Sequence, residues 1–295
     1  MRNFKRKTMI AWILLSTCLF LVIGGCTSGD QLSEPDETVP YGTVKAESLK
    51  NPGQRQDPSE LPQLEGGAEI DVRPKRPSSN QELQRKYPNI LVLRGPLDQK
   101  KVALTFDDGP DLTFTPQVLD VLKKHGVKAT FFLMGARAAA LPEMTKRIAD
   151  EGHVIGNHTY WHPKLYEETL ERVHWEVTST DEAIENIVGY RPKLFRAPYG
   201  GLTEPIVEFL GEMGYTIVGW TVDSEDWKQL SAEEVKRNVL DHIHPGAIVL
   251  FHSGGHWTQN LGGMVEALDE IIPTLKQQGY EFVTVPELVG VSISR

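Results

Sequence analysis

Two adjacent carboxylates end a strand-forming stretch of this 295-residue chain. The stretch 101–110, KVALTFDDGP, alternates apolar residues up to Asp107 and Asp108, ahead of Gly109 and Pro110, which cannot continue a strand. Partly buried neighbouring carboxylates repel each other, so at neutral pH they stay ionised only beside a cation or several donors. A turn or helix cap is the alternative use of such a pair. The stretch predicts a site with a metal ion, an arginine or both.

Two histidines four residues apart supply further candidate ligands. His158 and His162 lie in the segment NHTYWHP, a spacing that predicts both imidazoles on one side of a helical turn. Two imidazoles and one carboxylate make an open three-ligand set, which leaves positions for water and substrate as catalytic zinc prefers. A pair of surface histidines is the alternative when the motif stands alone. The aspartate at a strand end favours the metal site.

The elements that must position these residues alternate between strands and helices from residue 86 onward. Such alternation over about two hundred residues predicts one α/β domain with a parallel sheet. The predicted strands are 101–106, 129–134, 154–157, 194–196, 216–222, 248–251 and 281–285, and the predicted helices are 115–125, 142–151, 168–188, 204–213, 232–242 and 263–278.

Polar residues collect at the carboxyl ends of these strands. Besides the two acids and the two histidines, Arg196, Asp223, Asp226 and His252 end or follow successive strands. Working residues of parallel α/β proteins gather at this edge. Purely structural polar residues would scatter over both ends of the strands, so the distribution predicts one functional site.

The first 25 residues have the shape of a lipoprotein signal peptide. A basic leader precedes an apolar run at 9–23, which is short for a membrane span, and small residues then lead to Cys26. This order resembles the bacterial lipobox, in which the cysteine is lipidated after cleavage. An uncleaved amino-terminal anchor is the alternative. Both place the rest of the chain outside the cytoplasm, and lipidated Cys26 would hold it at the cell membrane.

Residues 26–85 are predicted to be the lipidated cysteine and a flexible linker, ahead of a catalytic domain at 86–295. The linker is rich in Pro, Gly, Ser and acidic residues, and it offers too little apolar surface to offset the entropy of ordering. Signal removal takes away Cys18, so no disulfide framework is expected. The formal charge of -9 argues against a nucleic-acid partner.

Five motifs, taken in order, resemble those of the polysaccharide deacetylases, carbohydrate esterase family four. They are TFDDGP at 105–110, HTYWH at 158–162, RAPYG at 196–200, DSEDW at 223–227 and LFH at 250–252. The resemblance covers roughly 92–289, and it departs from the commonest family pattern at Trp161, Ala197 and Ser253. It implies an α/β fold, a single distorted (β/α) barrel of about seven strands, preceded by the signal sequence and a disordered linker.

The resemblance also implies a metal centre. Asp108, His158 and His162 would bind a divalent ion, Zn2+ first, with Co2+, Mn2+ and Ni2+ also suited to these ligands. Such an ion lowers the pKa of a bound water and polarises an acetyl carbonyl.

The remaining motif residues have implied roles in acid–base chemistry and binding. Asp107 would be the general base, oriented by Arg196, and the backbone N–H of Tyr199 would stabilise the oxyanion. His252, held protonated by Asp226, would protonate the leaving amine. The substrate pocket would be lined by Pro198, Trp161, Trp227 and Leu250, with plain core packing as the alternative for the last two.

We therefore predict a metal-dependent hydrolase that removes N-acetyl groups from cell-envelope glycans. Peptidoglycan is the preferred substrate because a tethered domain outside the membrane meets that polymer first. The alternatives are an O-acetyl esterase on xylan-like polymers, a chitin oligosaccharide deacetylase, and a non-catalytic wall-binding lipoprotein. The last predicts loss of a ligand or of the base, but all are present. We expect a monomer that contacts the membrane through Cys26 and binds no nucleic acid.

Overall fold

The computed structural model describes residues 60–73 and 79–295. The predicted signal peptide, Cys26 and most of the predicted linker lie outside these residues. Within the described ranges, no helix combines the length and the apolar character needed to cross a bilayer.

A curved sheet of parallel strands forms the centre of the described region. Its strands are β1 (Leu91–Val92), β2 (Lys101–Asp107), β3 (Thr130–Leu133), β4 (Val154–Asn157), β5 (Leu194–Phe195), β6 (Thr216–Val218), β7 (Val222–Asp223), β8 (Ala247–His252) and β9 (Glu281–Phe282). The order across the sheet is β1-β6-β5-β4-β3-β2-β8-β7, and β9 pairs with the start of β2. An isolated bridge from Arg94 to Ala247 joins the segment after β1 to β8. The described strands therefore form a distorted, incompletely closed barrel.

Helices precede, connect or follow the strands. They are α1 (Glu69–Val72), α2 (Asn80–Lys86), α3 (Phe114–His125), α4 (Gly135–Ala140), α5 (Pro142–Asp150), α6 (Leu170–Val188), α7 (Glu204–Glu212), α8 (Ala232–Leu240), α9 (Gly262–Gln277) and α10 (Val285–Val289). Apolar residues of α3, α5, α8 and α9 share one core with alternate residues of β2, β3 and β8.

The alternation along β2 decides where the chemistry lies. Phe106 packs outward, with its ring 5.1 Å from Phe131 and 5.5 Å from Phe251. Successive side chains of a strand point to opposite faces, so Thr105 and Asp107 point into the barrel. Burying the aromatic residue beneath the helices therefore fixes the direction of the last carboxylate of the strand.

The structure confirms the α/β fold and the six predicted helices, with ends shifted by up to two residues. The predicted strand 216–222 is wrong as one element, because it breaks into β6 and β7 around Gly219. The carbonyls at this break accept hydrogen bonds from an arginine side chain. The predicted strand 281–285 ends at Phe282, and α10 follows. The short β1, α4 and α10 were not predicted.

The structure also corrects the end of the predicted linker. Residues 60–73 and 79–85 include α1 and most of α2, and Leu61, Leu64 and Leu83 are buried. These apolar residues are too few to form a core of their own, but they pack on the domain that follows. Folded segments of the described chain therefore lie before residue 86, at 60–73 and 79–85.

Candidate active site

The predicted site residues meet at the carboxyl edge of the sheet. Asp107 ends β2, His158 follows β4, Arg196 follows β5, and His252 ends β8. Asp107 lies opposite His252 in the pairing of β2 with β8. Each of these four residues is at most 3% exposed. Residues far apart in the sequence thus share one buried cluster.

Asp108, His158 and His162 form a candidate metal centre. Asp108 Oδ1 lies 3.2 Å from His158 Nε2 and 3.1 Å from His162 Nε2. One ligand atom from each residue lies within 4.8 Å of the other two. Despite these short separations, both oxygens of Asp108 and both ring nitrogens of His162 are buried without a hydrogen-bond partner. Unpaired buried polar atoms are costly, and a shared cation would satisfy them, so this donor set fits a divalent metal ion.

The loop that carries the two histidines is not helical, which corrects the predicted helical turn. Thr159 and His162 have left-handed backbone angles, with φ of 66° and 60°. The Thr159 Oγ1 accepts from the backbone N–H of His162 at 3.1 Å, and Asn157 Oδ1 accepts from that of Thr159 at 2.9 Å. The two imidazole rings still meet, with centroids 4.9 Å apart. Turn hydrogen bonds, and not helical periodicity, bring the ligands together.

Two contacts orient this loop from behind. Glu176, fully buried on α6, accepts from the backbone N–H groups of Tyr160 at 2.7 Å and Trp161 at 2.8 Å. The Nδ1 of His158 is 2.8 Å from the carbonyl oxygen of Arg196, to which it donates. In the neutral imidazole that hydrogen bond leaves Nε2 unprotonated and available as a metal ligand.

Arg196 is spread over several acceptors. Its Nη1 donates to Asp107 Oδ1 at 2.7 Å and to Thr105 Oγ1 at 2.8 Å. Its Nε and Nη2 donate to the carbonyls of Val218 and Gly219. The predicted pairing with Asp107 is present, but Nη1 alone makes it. The other two nitrogens donate to the carbonyls at the break after β6. The carboxylate is thereby fixed beside the candidate metal ligands.

His252 and Asp226 form a second charged pair. Asp226 Oδ1 lies 2.7 Å from the ring Nδ1 of His252, and Oδ2 accepts from the backbone N–H of His252 at 2.7 Å. Burial lowers the pKa of His252, but the charge and hydrogen bond of Asp226 outweigh burial and raise that pKa to about 10. The imidazole is therefore held as a cation with Nε2 as its free donor.

The predicted pocket residues lie around this cluster. Pro198 and Tyr199 form a tight turn in which Tyr199 has a φ of 58°, and the Tyr199 ring lies 4.6 Å from that of His162. Trp227 and Leu250 are 8% and 1% exposed, and Trp161 is half-buried. Asp223, in contrast, binds Arg73, Trp220 and the backbone of Glu225, and none of its hydrogen bonds goes to the His252 pair.

Sequence reasoning missed two buried charged residues that support the site. Arg137 donates from Nη1 to the carbonyl of Asp108 at 2.9 Å and from Nη2 to that of Gly255 at 2.6 Å. Its signal was an arginine within the small, apolar helix GARAAA. Glu176 falls on the buried face of α6 with Val173 and Val177. An acid at a core position of an amphipathic helix needs a polar partner, which was a usable signal.

Comparison with known proteins places this site in a family. The model of the polysaccharide deacetylases matches residues 94–218. A peptidoglycan-N-acetylglucosamine deacetylase of Bacillus cereus is 49% identical over 203 residues, which are 68% of this chain and 72% of that protein. This chain belongs to the polysaccharide deacetylase family.

Two further relatives extend the match. The solved structure of the Bc1960 peptidoglycan N-acetylglucosamine deacetylase, in complex with a naphthalenyl N-oxidanyl-benzamide, has a TM-score of 0.70 at 45% identity. That match covers 72% of this chain and 99% of the solved one. The peptidoglycan-N-acetylmuramic acid deacetylase PdaA of Bacillus subtilis is 38% identical over 231 residues, covering 76% of this chain and 84% of PdaA. The predicted family and its barrel are therefore confirmed.

Replacing the buried carboxylate behind the histidine loop tests how this polysaccharide deacetylase orients its ligands. Glu176→Ala leaves two backbone N–H groups unpaired, so we expect zinc affinity to fall about 10-fold to 100-fold. The exposed Glu182 of the same helix supplies the control, and Glu182→Ala should leave zinc affinity unchanged. Zinc dissociation constants by competition with a chromogenic chelator are the measurement. Equal affinity in both variants would show that the loop holds its shape without Glu176.

Proposed function

We propose that this chain is a metal-dependent peptidoglycan N-deacetylase. The single observation that carries the proposal is that the three-ligand set and two ion pairs meet at one edge of the sheet. In one pair Arg196 holds Asp107, and in the other Asp226 holds His252. Base, metal ligands and acid are the parts that amide hydrolysis needs. The relatives are named as peptidoglycan deacetylases, and these names support peptidoglycan as the substrate.

Asp108, His158 and His162 would hold the divalent ion, for which Zn2+ is our first choice over Co2+, Mn2+ and Ni2+. When bound, the ion supplies an activated water and a polarised acetyl carbonyl. Asp107 lies beside the ligands but outside the three-ligand set, with Oδ2 3.8 Å from His158 Nε2. We assign it as the general base that accepts a proton from water. Arg196 fixes its orientation through the hydrogen bond from Nη1 to Oδ1.

Formation of the tetrahedral intermediate needs a donor to its oxyanion, and collapse of the intermediate needs an acid for the leaving amine. We assign the acid to His252, whose imidazolium has Nε2 free to protonate the sugar nitrogen. The Tyr199 backbone N–H is our oxyanion donor, presented by the left-handed turn that follows Pro198. We assign Trp161, Trp227 and Leu250 to the pocket walls. Each of these residues thus acts on the substrate by orientation, exclusion of water or proton transfer.

An O-acetyl esterase acting on xylan-like polymers is the second candidate. The same base and oxyanion donor would cleave an ester. The observation that separates the two is the His252 pair, because an amide nitrogen needs protonation before it leaves, whereas an alkoxide leaves more easily.

We also propose, from the lipobox order alone, that Cys26 anchors the enzyme outside the cytoplasm.

Acetate release tests the substrate class. Zinc-loaded protein should release acetate from peptidoglycan and from N-acetylglucosamine oligomers, and little from O-acetylated xylan, because the imidazolium acid serves an amine leaving group. Enzymatic acetate assay and mass spectrometry of the products are the measurements. Faster release from acetylated xylan than from every N-acetylated glycan would favour the esterase.

Two substitutions separate the base from the ligands. Asp107→Asn should retain one zinc per chain while turnover falls at least about 100-fold, because the carboxamide cannot accept the proton. His158→Ala should lose zinc and activity together, because one ligand is removed. Metal content after gel filtration, measured beside acetate release, distinguishes the variants. Full turnover in purified Asp107→Asn protein would refute the assigned base.

The charged pair at His252 predicts a change in pH dependence. The raised pKa means that the imidazolium persists at low and neutral pH and is lost as the pH rises through that pKa. Asp226→Asn removes the charge that raises the pKa, so the alkaline fall in kcat/KM should begin at a lower pH than in the parent. The profile of kcat/KM against pH measures this. An unmoved alkaline limb would show that His252 is not the acid.

A further inference from the structure

Residues 60–73, here called the strap, lie across the candidate metal centre. The backbone N–H of Glu65 donates to the carbonyl of Trp161 at 2.8 Å, and that of Gly66 donates to the carbonyl of His162 at 3.0 Å. The Tyr199 hydroxyl donates to the carbonyl of Gly67 at 2.7 Å. The strap thus pairs directly with the loop that carries the histidine ligands.

Each end of the strap has its own anchor. At its start, Leu61 is buried, and Arg137 Nε donates to the carbonyl of Pro62 at 2.8 Å. At its end, Arg73 forms an ion pair with Asp223, and its guanidinium lies 5.0 Å from the ring centre of Trp227. The strap therefore spans from the support of Asp108 to a wall of the proposed substrate pocket.

Between these anchors, the Glu69 carboxylate is buried above the site without a hydrogen-bond partner for Oε2. Its nearest cation is Arg73, with Nη1 3.8 Å from Oε2, and that nitrogen also has no hydrogen-bond partner. Burial raises the pKa of the Glu69 carboxyl above its usual range, and helix α1 contacts residues 226–228, which include Asp226 and Trp227. A buried, incompletely paired carboxylate costs free energy unless a cation compensates it. The candidate metal centre, whose ligand set fits a divalent ion, lies beneath this carboxylate.

With the strap in place, the centre is closed to a polymer. The three candidate ligands are at most 1% exposed, and His252 is 2% exposed. A glycan chain must nevertheless bring an acetamide group to these atoms. Residues 60–73 lie before the start of the family match at residue 94, so they are additional to the matched segment. The strap contains only one helix of four residues, which is too short to be stable by itself.

We propose that the strap is an intramolecular competitor of the glycan, with the Glu69 carboxylate standing in for the acetyl group of the substrate. It pairs with the histidine loop when the cleft is empty, and substrate displaces it. The identity of the displacing ligand rests on the proposed function, whereas the covering itself rests on the contacts above. A closed strap lowers the apparent affinity by the fraction of open molecules. It would also hinder removal of a bound ion.

Substitutions that release the strap test this proposal in the full zinc-loaded chain. A Cβ at Gly66 would lie 2.5 Å from Tyr199 Oη, so Gly66→Val should push the strap away without altering a site residue. Glu69→Gln removes the buried charge, and Asp71→Asn is its matched control, because Asp71 is exposed on the same helix. Arg73→Gln removes the ion pair to Asp223 and serves if Gly66→Val fails to fold.

Zinc extraction by excess dipicolinate and kcat/KM on N-acetylglucosamine oligomers are the two measurements. If the strap is closed nine-tenths of the time, its release raises both rates about tenfold. We expect this rise for Gly66→Val, Glu69→Gln and Arg73→Gln, and no change for Asp71→Asn. A synthetic peptide of residues 60–73 should slow zinc extraction from the released variants again. Loss of activity with unchanged or slower extraction would overturn the proposal, because the strap would then be a fixed part of the site.

The two measurements separate this proposal from the proposed function. Extraction that depends on the strap, in a chain inactive on every N-acetylated glycan, would reject the function and retain the competitor. Acetate release together with the same rate of zinc extraction in all variants would retain the proposed function and reject the competitor.

Discussion

The end of β2 places two carboxylates side by side in a region from which water is excluded, and the rest of the site compensates for that. Asp107 is neutralised by Arg196, while Asp108 meets two imidazoles whose nitrogens fit a shared cation. Arg137 adds a buried guanidinium, which donates a hydrogen bond to the Asp108 carbonyl. An unpaired buried carboxylate would cost several kcal/mol. These two acids therefore constrain the positions of the loop after β4, the turn that follows β5 and the short helix α4.

Two ion pairs accompany the centre, one around a carboxylate and one around an imidazole. Arg196 orients the Asp107 carboxylate, whereas Asp226 raises the pKa of His252 and keeps that imidazole charged. In our proposal the carboxylate is the base and the imidazolium is the acid. Parallel pairing of β2 with β8 places both groups at the same edge. The sheet thus places the proposed base and the proposed acid next to each other at one edge.

Geometry and accessibility come from different parts of the chain. The sheet and α6 fix the side chains through buried cores and through hydrogen bonds to backbone groups, so the site has little freedom. Six of the fourteen strap residues are buried, but its one α-helix has only four residues, so the strap is held by the domain and not by its own local structure. In our proposal this difference lets the cover move while the centre beneath it keeps its shape.

The sequence alone determined most of the strands, the six longest described helices and the ordered motifs, because hydrophobic period and side-chain chemistry are local properties. It also indicated that Asp108 and the two histidines belong together, since parallel strands end at one edge. The tertiary structure decided how they meet: the histidine segment is an irregular loop braced by Glu176, which lies on a helix that follows it. It also decided that residues 60–73 are ordered, because their few apolar side chains are buried only against a surface built by residues far along the chain. Local composition cannot report the burial that a distant partner supplies.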